Sequence, residues 1–301
     1  MTSTQTLQHQ LQEGSIKALA RCISIVENEL EGYEELLSSL VINQTIPVIG
    51  ITGPPGAGKS TLINALIKEL TDQNKKIGVI AIDPTSPFNF GSLLGDRLRM
   101  AEHFTNENVF IRSLATRGSL GGLSAKTIEV VDVMKSFNFD YIFVETVGVG
   151  QSEVEVVGLA DTTVLVLVPE AGDDVQAMKS GVMEIADIFV VNKADRESAN
   201  TFIKNIIQLV HTKAEHDILI PVIKAVATKQ EGVTELIEAI NRHSLIGVNS
   251  KKSFLLAEKA YRIIQNYRMK GVSKINLQAQ LETEIKKEDF NLYRFVKKTW
   301  M

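Results

Sequence analysis

The spacing of hydrophobic positions changes twice along this 301-residue chain. In residues 1–45 apolar side chains recur at the helical period, and Gly32 predicts a break between two helices. From residue 46 onward, short β-branched runs alternate with longer stretches of helical period, and the pattern is helical again near the end. The sequence predicts a helical N-terminal extension at 1–45, a central domain at 46–245 and a helical C-terminal segment at 246–301.

Seven short apolar runs in the central part are predicted strands. Most are apolar on both faces, as expected for parallel strands covered by helices on both sides. The fold class predicted is α/β, with a doubly wound, mainly parallel sheet that binds ligands at the carboxyl ends of its strands. The runs are 48–52, 77–82, 109–113, 141–145, 163–168, 188–192 and 219–226.

Composition narrows the class of protein. The net charge is −4, the sequence pI is about 5.8, and no Lys/Arg-rich block stands out, so a nucleic-acid partner is not expected. Cys22 is the single cysteine, which excludes an internal disulfide and fits a reducing compartment. No apolar run has the length of a membrane span, and the N-terminus lacks a targeting pattern. We expect a cytoplasmic protein without a membrane partner.

The first candidate site follows the run 48–52 directly. Residues 53–61 read GPPGAGKST, and an apolar helical pattern follows, so the G-x-x-x-x-G-K-[ST] motif has its strand–loop–helix setting. Such a loop brings backbone N–H groups and a helix N-terminus to phosphate oxygens. Lys59 is predicted to contact the β- and γ-phosphates, and Ser60 to ligate Mg²⁺. The predicted phosphate-binding residues are Gly53, Pro54, Pro55, Gly56, Ala57, Gly58, Lys59, Ser60 and Thr61.

A second candidate site stands at the end of a later predicted strand. Its sequence is Asn192-Lys193-Ala194-Asp195, similar to the N-K-x-D element of GTPases, whose aspartate accepts hydrogen bonds from guanine N1–H and the exocyclic amine. Adenine lacks this pair of donors, so the element discriminates between the bases. The stem of Lys193 would pack over the base. The alternative is a turn that only caps a helix.

Acidic residues at other strand ends are candidates for a metal site. Glu145, with Gly148 after it, stands where most GTPases carry Asp-x-x-Gly; the acid would hold Mg²⁺ through water, and the glycine N–H would meet the γ-phosphate. Asp83 would orient the attacking water or bind a metal-bound water, unless it only forms an Asp-Pro turn. Asp96 is a further candidate for the metal shell, with helix capping as the alternative.

The residue that aligns the attacking water is not evident. Val149 stands where many GTPases place a glutamine, and an apolar side chain cannot orient water. Gln151 lies two residues further on and would serve only after a loop rearrangement. The predicted catalytic residues are therefore Lys59, Asp83 and Gln151. We expect slow intrinsic turnover until a partner or a second subunit completes the site.

Together these motifs resemble the MeaB/ArgK/MMAA family of GTPases, the chaperones of cobalamin-dependent acyl-CoA mutases. The resemblance covers most of the chain, and the glutamate of the third motif with the long run after it is specific to this group. The stretches that carry it are 18–27, 53–61, 83–87, 95–100, 117–124, 145–153, 172–181 and 192–195.

The resemblance implies a P-loop G domain with a helical N-terminal extension and a C-terminal dimerisation arm, binding GTP or GDP with Mg²⁺. The implied partner is methylmalonyl-CoA mutase or a close relative such as isobutyryl-CoA mutase, and the implied state is a homodimer. GTP hydrolysis would gate delivery of adenosylcobalamin and protect the mutase. Residues 83–96 would belong to a first switch and 145–153 to a second. Residues 173–179 would form a third switch that relays the nucleotide state to the partner. The implied switch residues are Gly148 and Gln151 in the second switch and Asp173 and Lys179 in the third.

The chain departs from the family in the fifth motif, where Val226-Ala227-Thr228 stands in place of the usual Ser-Ala. These three residues are predicted to bind the base through a backbone N–H that reads guanine O6. Because this N–H is retained, we expect guanine binding to survive, without the support of the serine hydroxyl. The C-terminal tail also matches the family's dimer arm only loosely.

Three alternative functions stand beside this one. A metal-insertion GTPase of the nickel-chaperone type needs a Cys/His cluster, whereas this chain has one cysteine and five scattered histidines. A P-loop kinase has no need for a guanine-reading aspartate at position 195. A scaffold would bind GTP without hydrolysing it, and would accumulate no GDP.

Overall fold

Residue contacts divide the chain into two units, Met1–Lys259 and Ala260–Met301. The structure, a computed structural model, describes residues 3–83, 100–115, 125–146, 156–170, 186–211, 220–246 and 256–300, apart from 258, 259, 262, 266 and 270. The larger unit contains a β-sheet and the helices around it, and the smaller unit is helical.

Seven strands of the larger unit form one sheet in the order β3–β2–β4–β1–β5–β6–β7. All six pairings between neighbours are parallel, which confirms the predicted α/β fold with a doubly wound sheet. The strands are β1 (Val48–Thr52), β2 (Ile77–Asp83), β3 (Val109–Ala115), β4 (Tyr141–Glu145), β5 (Thr162–Leu167), β6 (Ile188–Val191) and β7 (Val222–Lys224).

The predicted strands agree with the observed ones closely except at the last. β7 ends at Lys224, although the apolar run continues to Val226. The backbone leaves the sheet there because Val226 forms an antiparallel bridge with Glu231. This early exit creates the turn that later contributes to the candidate site.

Helices cover both faces of the sheet. Side chains alternate along β1, so that Ile49 and Ile51 join one buried cluster and Val48 joins another on the opposite face. The first cluster includes α4 and α7, and the second includes α2 and α5. The α-helices of this unit are α1 (Ser3–Gln12), α2 (Ile16–Glu27), α3 (Tyr33–Ser39), α4 (Lys59–Asp72), α5 (Ala125–Lys135), α6 (Ala199–His211) and α7 (Val233–Ile246).

The N-terminal region forms three helices, whereas the sequence pattern predicts two. The predicted break at Gly32 is present, with φ at 83°. A second break lies at Gly14, whose φ is 84°, and Ser15 then caps α2 by accepting a hydrogen bond from the Ala18 N–H at 3.3 Å. The signal for this break is the Gly-Ser pair, because the apolar period itself continues across it.

The C-terminal unit contains α8 (Lys274–Glu284) and α9 (Leu292–Trp300). Ser273 caps α8 by accepting a hydrogen bond from the Asn276 N–H at 3.4 Å. No residue of α8 is buried, and Ile275 is 80% exposed. Among the described helices none is long and apolar enough to cross a membrane.

Candidate nucleotide-binding site

The loop between β1 and α4 has a backbone that only glycine tolerates at two points. Gly53 has φ of 139°, and a Cβ there would lie 2.1 Å from the Val166 carbonyl oxygen. Gly58 has φ of 85°, and a Cβ there would lie 2.4 Å from Asn192 Nδ2. The loop therefore packs directly against β5 and the segment after β6. This close packing holds the backbone N–H groups in place without any side chain in between.

Lys59 begins α4, and its side chain folds back over the loop. Its ammonium donates hydrogen bonds to the carbonyl oxygens of Gly53 at 2.7 Å and Pro54 at 3.1 Å. The side chain is buried, with 7% of the residue exposed. A buried ammonium is costly unless it is hydrogen-bonded, and these neutral carbonyls can be exchanged for phosphate oxygens. The structure therefore has a cation beside the phosphate loop, where the sequence predicts one.

Ser60 and Glu145 meet across the sheet edge. Ser60 Oγ donates a hydrogen bond to Glu145 Oε1 at 2.7 Å, and both residues are buried. β4 lies beside β1, so the end of β4 brings Glu145 to the start of α4. Thr146 fixes this junction, since its N–H donates to the Ile51 carbonyl oxygen at 3.1 Å. Hydroxyl and carboxylate oxygens are the donors that Mg²⁺ prefers, so this pair suits that ion.

Only part of the predicted metal and switch set is described. Asp83 ends β2, which lies beside β4, and its backbone pairs with Ala115; its side chain lies outside the described part. In the described part of the chain, no group of three or more His, Cys, Asp or Glu is arranged to hold a metal ion. The predicted residues outside the described ranges are Asp96, Gly148, Gln151, Asp173 and Lys179.

Asn192 connects the phosphate loop to the fifth motif. Its Nδ2 donates to the Ala57 carbonyl oxygen at 2.9 Å, and its Oδ1 accepts from the Ala227 N–H at 3.2 Å. The residue is 2% exposed. Both contacts are to backbone groups, so this side chain sets the distance between two loops that are far apart in sequence.

Lys193 and Asp195, the other two polar residues of the motif, have different partners. Lys193 has an unusual positive φ of 56°, and its ammonium donates to the Gly56 carbonyl oxygen at 2.8 Å. Asp195 is exposed, and its Oδ2 lies 3.1 Å from Lys229 Nζ. The hydrogen bond from Lys229 lowers the pKa of the Asp195 carboxyl, which keeps it ionised.

Lys229 is a site residue that the sequence motifs do not include. It lies in the turn Ala227–Lys229, directly after the fifth motif. In that motif, Val226 and Ala227 are buried and Thr228 is exposed. The sequence shows a lysine next to the motif, which is the one signal for its role. Its contact with Asp195 depends on β6 and β7 lying side by side, which the sequence does not show.

A parallel sheet with a glycine-bearing phosphate loop at the carboxyl end of its central strand defines a P-loop nucleotide-binding protein. The family model "Methylmalonyl Co-A mutase-associated GTPase MeaB" matches residues 19–275. The chain belongs to this family of GTPases, which confirms the resemblance and the GTPase prediction.

Three individual proteins show what this chain is similar to. A putative GTPase of Pyrococcus abyssi is 46% identical over 93% of this chain and 87% of its own length. The methylmalonic aciduria type A homolog, mitochondrial, of Mus musculus is 40% identical over 62% of this chain and 48% of its own length. The crystal structure of LAO/AO transport system kinase superposes with a TM-score of 0.70 over 98% of this chain and 90% of that one. At 24% identity this last likeness shows the fold alone.

Proposed function

We propose that the protein binds GTP with Mg²⁺ at this site, and that hydrolysis gates cobalamin loading into, and protection of, a cobalamin-dependent acyl-CoA mutase. The mutase is of the methylmalonyl-CoA mutase type, and the setting is the cytoplasm. The observation that carries the nucleotide part is the Ser60–Glu145 hydrogen bond beside the phosphate loop, at 2.7 Å. It pairs the two oxygen donors required for a Mg²⁺–nucleotide complex.

The phosphate side of the site acts by holding the phosphate groups and the metal in position. The N–H groups of the loop and of the first turn of α4 bind the phosphate oxygens, and Lys59 exchanges its carbonyl contacts for the β- and γ-phosphates. Ser60 and Glu145 would hold the metal, directly and through water. When bound there, Mg²⁺ would supply positive charge to the phosphate oxygens.

The base side reads guanine through one carboxylate and one amide. Asp195 accepts from guanine N1–H and the exocyclic amine, while a backbone N–H of the fifth motif donates to O6; the hydrogen bond from the Ala227 N–H to Asn192 Oδ1, at 3.2 Å, holds that motif in place. The stem of Lys193 covers the base. Since adenine offers an acceptor at N1 and an amine at C6, it would leave both protein groups mismatched.

The mutase partner is supported by what the family and one relative are called. The family description speaks of association with methylmalonyl-CoA mutase, and the mouse relative is named for methylmalonic aciduria. Such an association explains why Val149 takes the place of a water-aligning glutamine, because a partner can complete the site. Turnover would then respond to the partner.

The test is the GTP hydrolysis rate of the purified full chain, alone and with a methylmalonyl-CoA mutase. We expect slow turnover alone, stimulation of about tenfold or more by the mutase, and no turnover of ATP. The Lys59→Ala variant is the control for a contaminating hydrolase. An unchanged rate with the mutase would remove the chaperone role, and equal turnover of ATP would remove the guanine site.

We also propose that segment 246–301 is a dimerisation arm and that the protein is a homodimer. In residues 260–301, nine Lys/Arg stand against four Asp/Glu, whereas the whole chain has 32 against 36. In the same segment Tyr267 and Tyr293 are 68% and 85% exposed, so it presents large apolar side chains that a second copy would cover. A basic, apolar surface of this kind fits the acidic remainder of a second copy.

Light scattering on the full chain tests the dimer. Ile275→Asp places a charge on the exposed apolar surface of α8 and is expected to yield monomers. Thr283→Asp, on the same helix, is the matched control and should remain dimeric. A monomeric unmodified protein at micromolar concentration would contradict the proposal.

A further inference from the structure

The base side of the site is built from two segments joined at two points. The inner link is the buried hydrogen bond from the Ala227 N–H to Asn192 Oδ1, at 3.2 Å. The outer link is the ion pair between Lys229 Nζ and Asp195 Oδ2, at 3.1 Å. The outer link involves the carboxylate that the proposed function uses to recognise guanine.

The backbone that carries Lys229 is held tightly. Its N–H donates to the Val226 carbonyl oxygen at 2.8 Å, and Val226 and Glu231 exchange two hydrogen bonds of 3.0 and 3.3 Å. Gln230 follows in the left-handed region, with φ of 61°. The Lys229 side chain is 55% exposed, but its backbone is held by these hydrogen bonds and its ammonium contacts the Asp195 carboxylate.

The contact leaves room for the base. An ionised carboxylate has about four lone-pair directions on its two oxygens. Lys229 takes one of them on Oδ2, so both oxygens of Asp195 can still accept the N1–H and the amine of guanine. Arg196 also carries positive charge next to Asp195 but is paired with Glu170, which leaves Lys229 as the cation that contacts the carboxylate among the described residues.

We infer that Lys229 is a positioning residue for guanine recognition, which holds the Asp195 carboxylate in the orientation that accepts both hydrogen bonds of the base. This inference rests on the proposed guanine site. A free carboxylate rotates about two side-chain bonds and must be ordered when the base binds, whereas one held by a lysine is ordered beforehand. The resulting gain in affinity is largest for guanine, because guanine makes both hydrogen bonds to the carboxylate.

Inosine diphosphate separates this role from simple attraction between charges. It has the N1–H and O6 of guanine but lacks the exocyclic amine, so it makes one hydrogen bond to Asp195 where guanine makes two. The dissociation constants of GDP, IDP and ADP with Mg²⁺ are measured for the full chain and for the Lys229→Met and Lys229→Arg variants. Lys224→Met is the matched control, because Lys224 is an exposed lysine of the preceding strand that contacts Asn200.

For Lys229→Met we expect GDP binding to weaken about fivefold and IDP binding about twofold, a range typical of an exposed ion pair that orders its partner. Lys229→Arg should restore the preference for GDP over IDP, and Lys224→Met should leave it unchanged. Thermal unfolding midpoints of all variants should agree, since both lysines are exposed.

Two results would overturn the inference. Equal weakening of GDP and IDP would mean that Lys229 only attracts the phosphates, and unchanged binding of both would mean that it plays no part. Failure of the proposed function looks different, because the unmodified protein would then bind ADP as well as GDP.

Discussion

The two halves of the nucleotide site are constructed in different ways. The phosphate half is one continuous stretch, 53–61, whose shape comes from backbone conformation and from buried contacts. The base half joins Asp195 to a lysine 34 residues further on, through exposed side chains. The first half is closely packed at Gly53 and Gly58, where the neighbours leave no space for a Cβ, while the second depends on pairs of side chains that solvent reaches.

Asn192 is the point where the halves meet. It bonds to Ala57 on the phosphate side and to Ala227 on the base side. A substitution in the phosphate half should therefore affect phosphate binding first, and one in the base half should affect base recognition first. A substitution at Asn192 should affect both. Substitutions ranked by expected effect test this division.

The largest effect is expected for Lys59→Ala. Removing the ammonium takes away the charge on the β- and γ-phosphates, so turnover should fall by about a hundredfold or more. Lys68→Ala, an exposed lysine on the same helix, is the control. Because the phosphate half does not contact the base, the turnover of GTP and of ITP should fall equally. A fall confined to GTP would mean that Lys59 also takes part in base recognition.

Asp195→Asn should weaken GDP binding by about a hundredfold, because the amide presents a donor to the guanine N1–H. Xanthosine diphosphate, which has an oxygen in place of the exocyclic amine, should bind this variant better than the unmodified protein. Displacement of a fluorescent nucleotide measures both constants. Retained GDP affinity with no gain for the xanthine nucleotide would remove Asp195 from the base site.

Asn192→Ala removes a buried side chain that satisfies two backbone groups. We expect a loss of about 2–3 kcal/mol in the free energy of unfolding, as leaving buried polar groups unpaired typically costs. Denaturant titration measures it, with exposed Asn200→Ala as the control. Nucleotides should bind more weakly regardless of base. A change in base preference alone would place Asn192 in one half only.

Glu145→Gln keeps the hydrogen bond from Ser60 but removes the charge near the metal. The Mg²⁺ concentration for half-maximal turnover should rise about tenfold, since the missing charge must be compensated by mass action. A Mg²⁺ titration at saturating GTP measures this. An unaltered Mg²⁺ requirement would mean that the third motif does not serve the metal.

The smallest effect is that of pH on base preference. Lys229 lowers the pKa of Asp195 below its usual 3.8, so the ionised acceptor form persists as pH falls and is lost only below that lowered pKa. The ratio of IDP to GDP dissociation constants should thus stay constant from about pH 7 to about pH 4.5. In Lys229→Met the decline should begin at higher pH. Identical profiles would contradict an electrostatic link between the two residues.

Local signals were enough for the phosphate half and for most strands. Residues 53–61 carry their glycines, lysine and serine at fixed spacing between a strand and a helix, and the structure places them there. The runs that are apolar on both faces predicted a parallel sheet, because its inner strands β1, β5 and β6 are buried on both sides. The additional helix break at Gly14 was missed, since apolar periodicity does not register a single left-handed residue.

The candidate reacting groups and the short segments that carry them can be read directly from the sequence. Tertiary structure decided which of those segments touch. Ser60 meets Glu145, 85 residues away, because β4 inserts beside β1. Lys229 reaches Asp195 because β7 ends at Lys224 and the chain after it turns, with Val226 bridged to Glu231, near the end of β6. Strand order is a property of the packed sheet, set by burial of both its faces, and no local stretch of sequence encodes it.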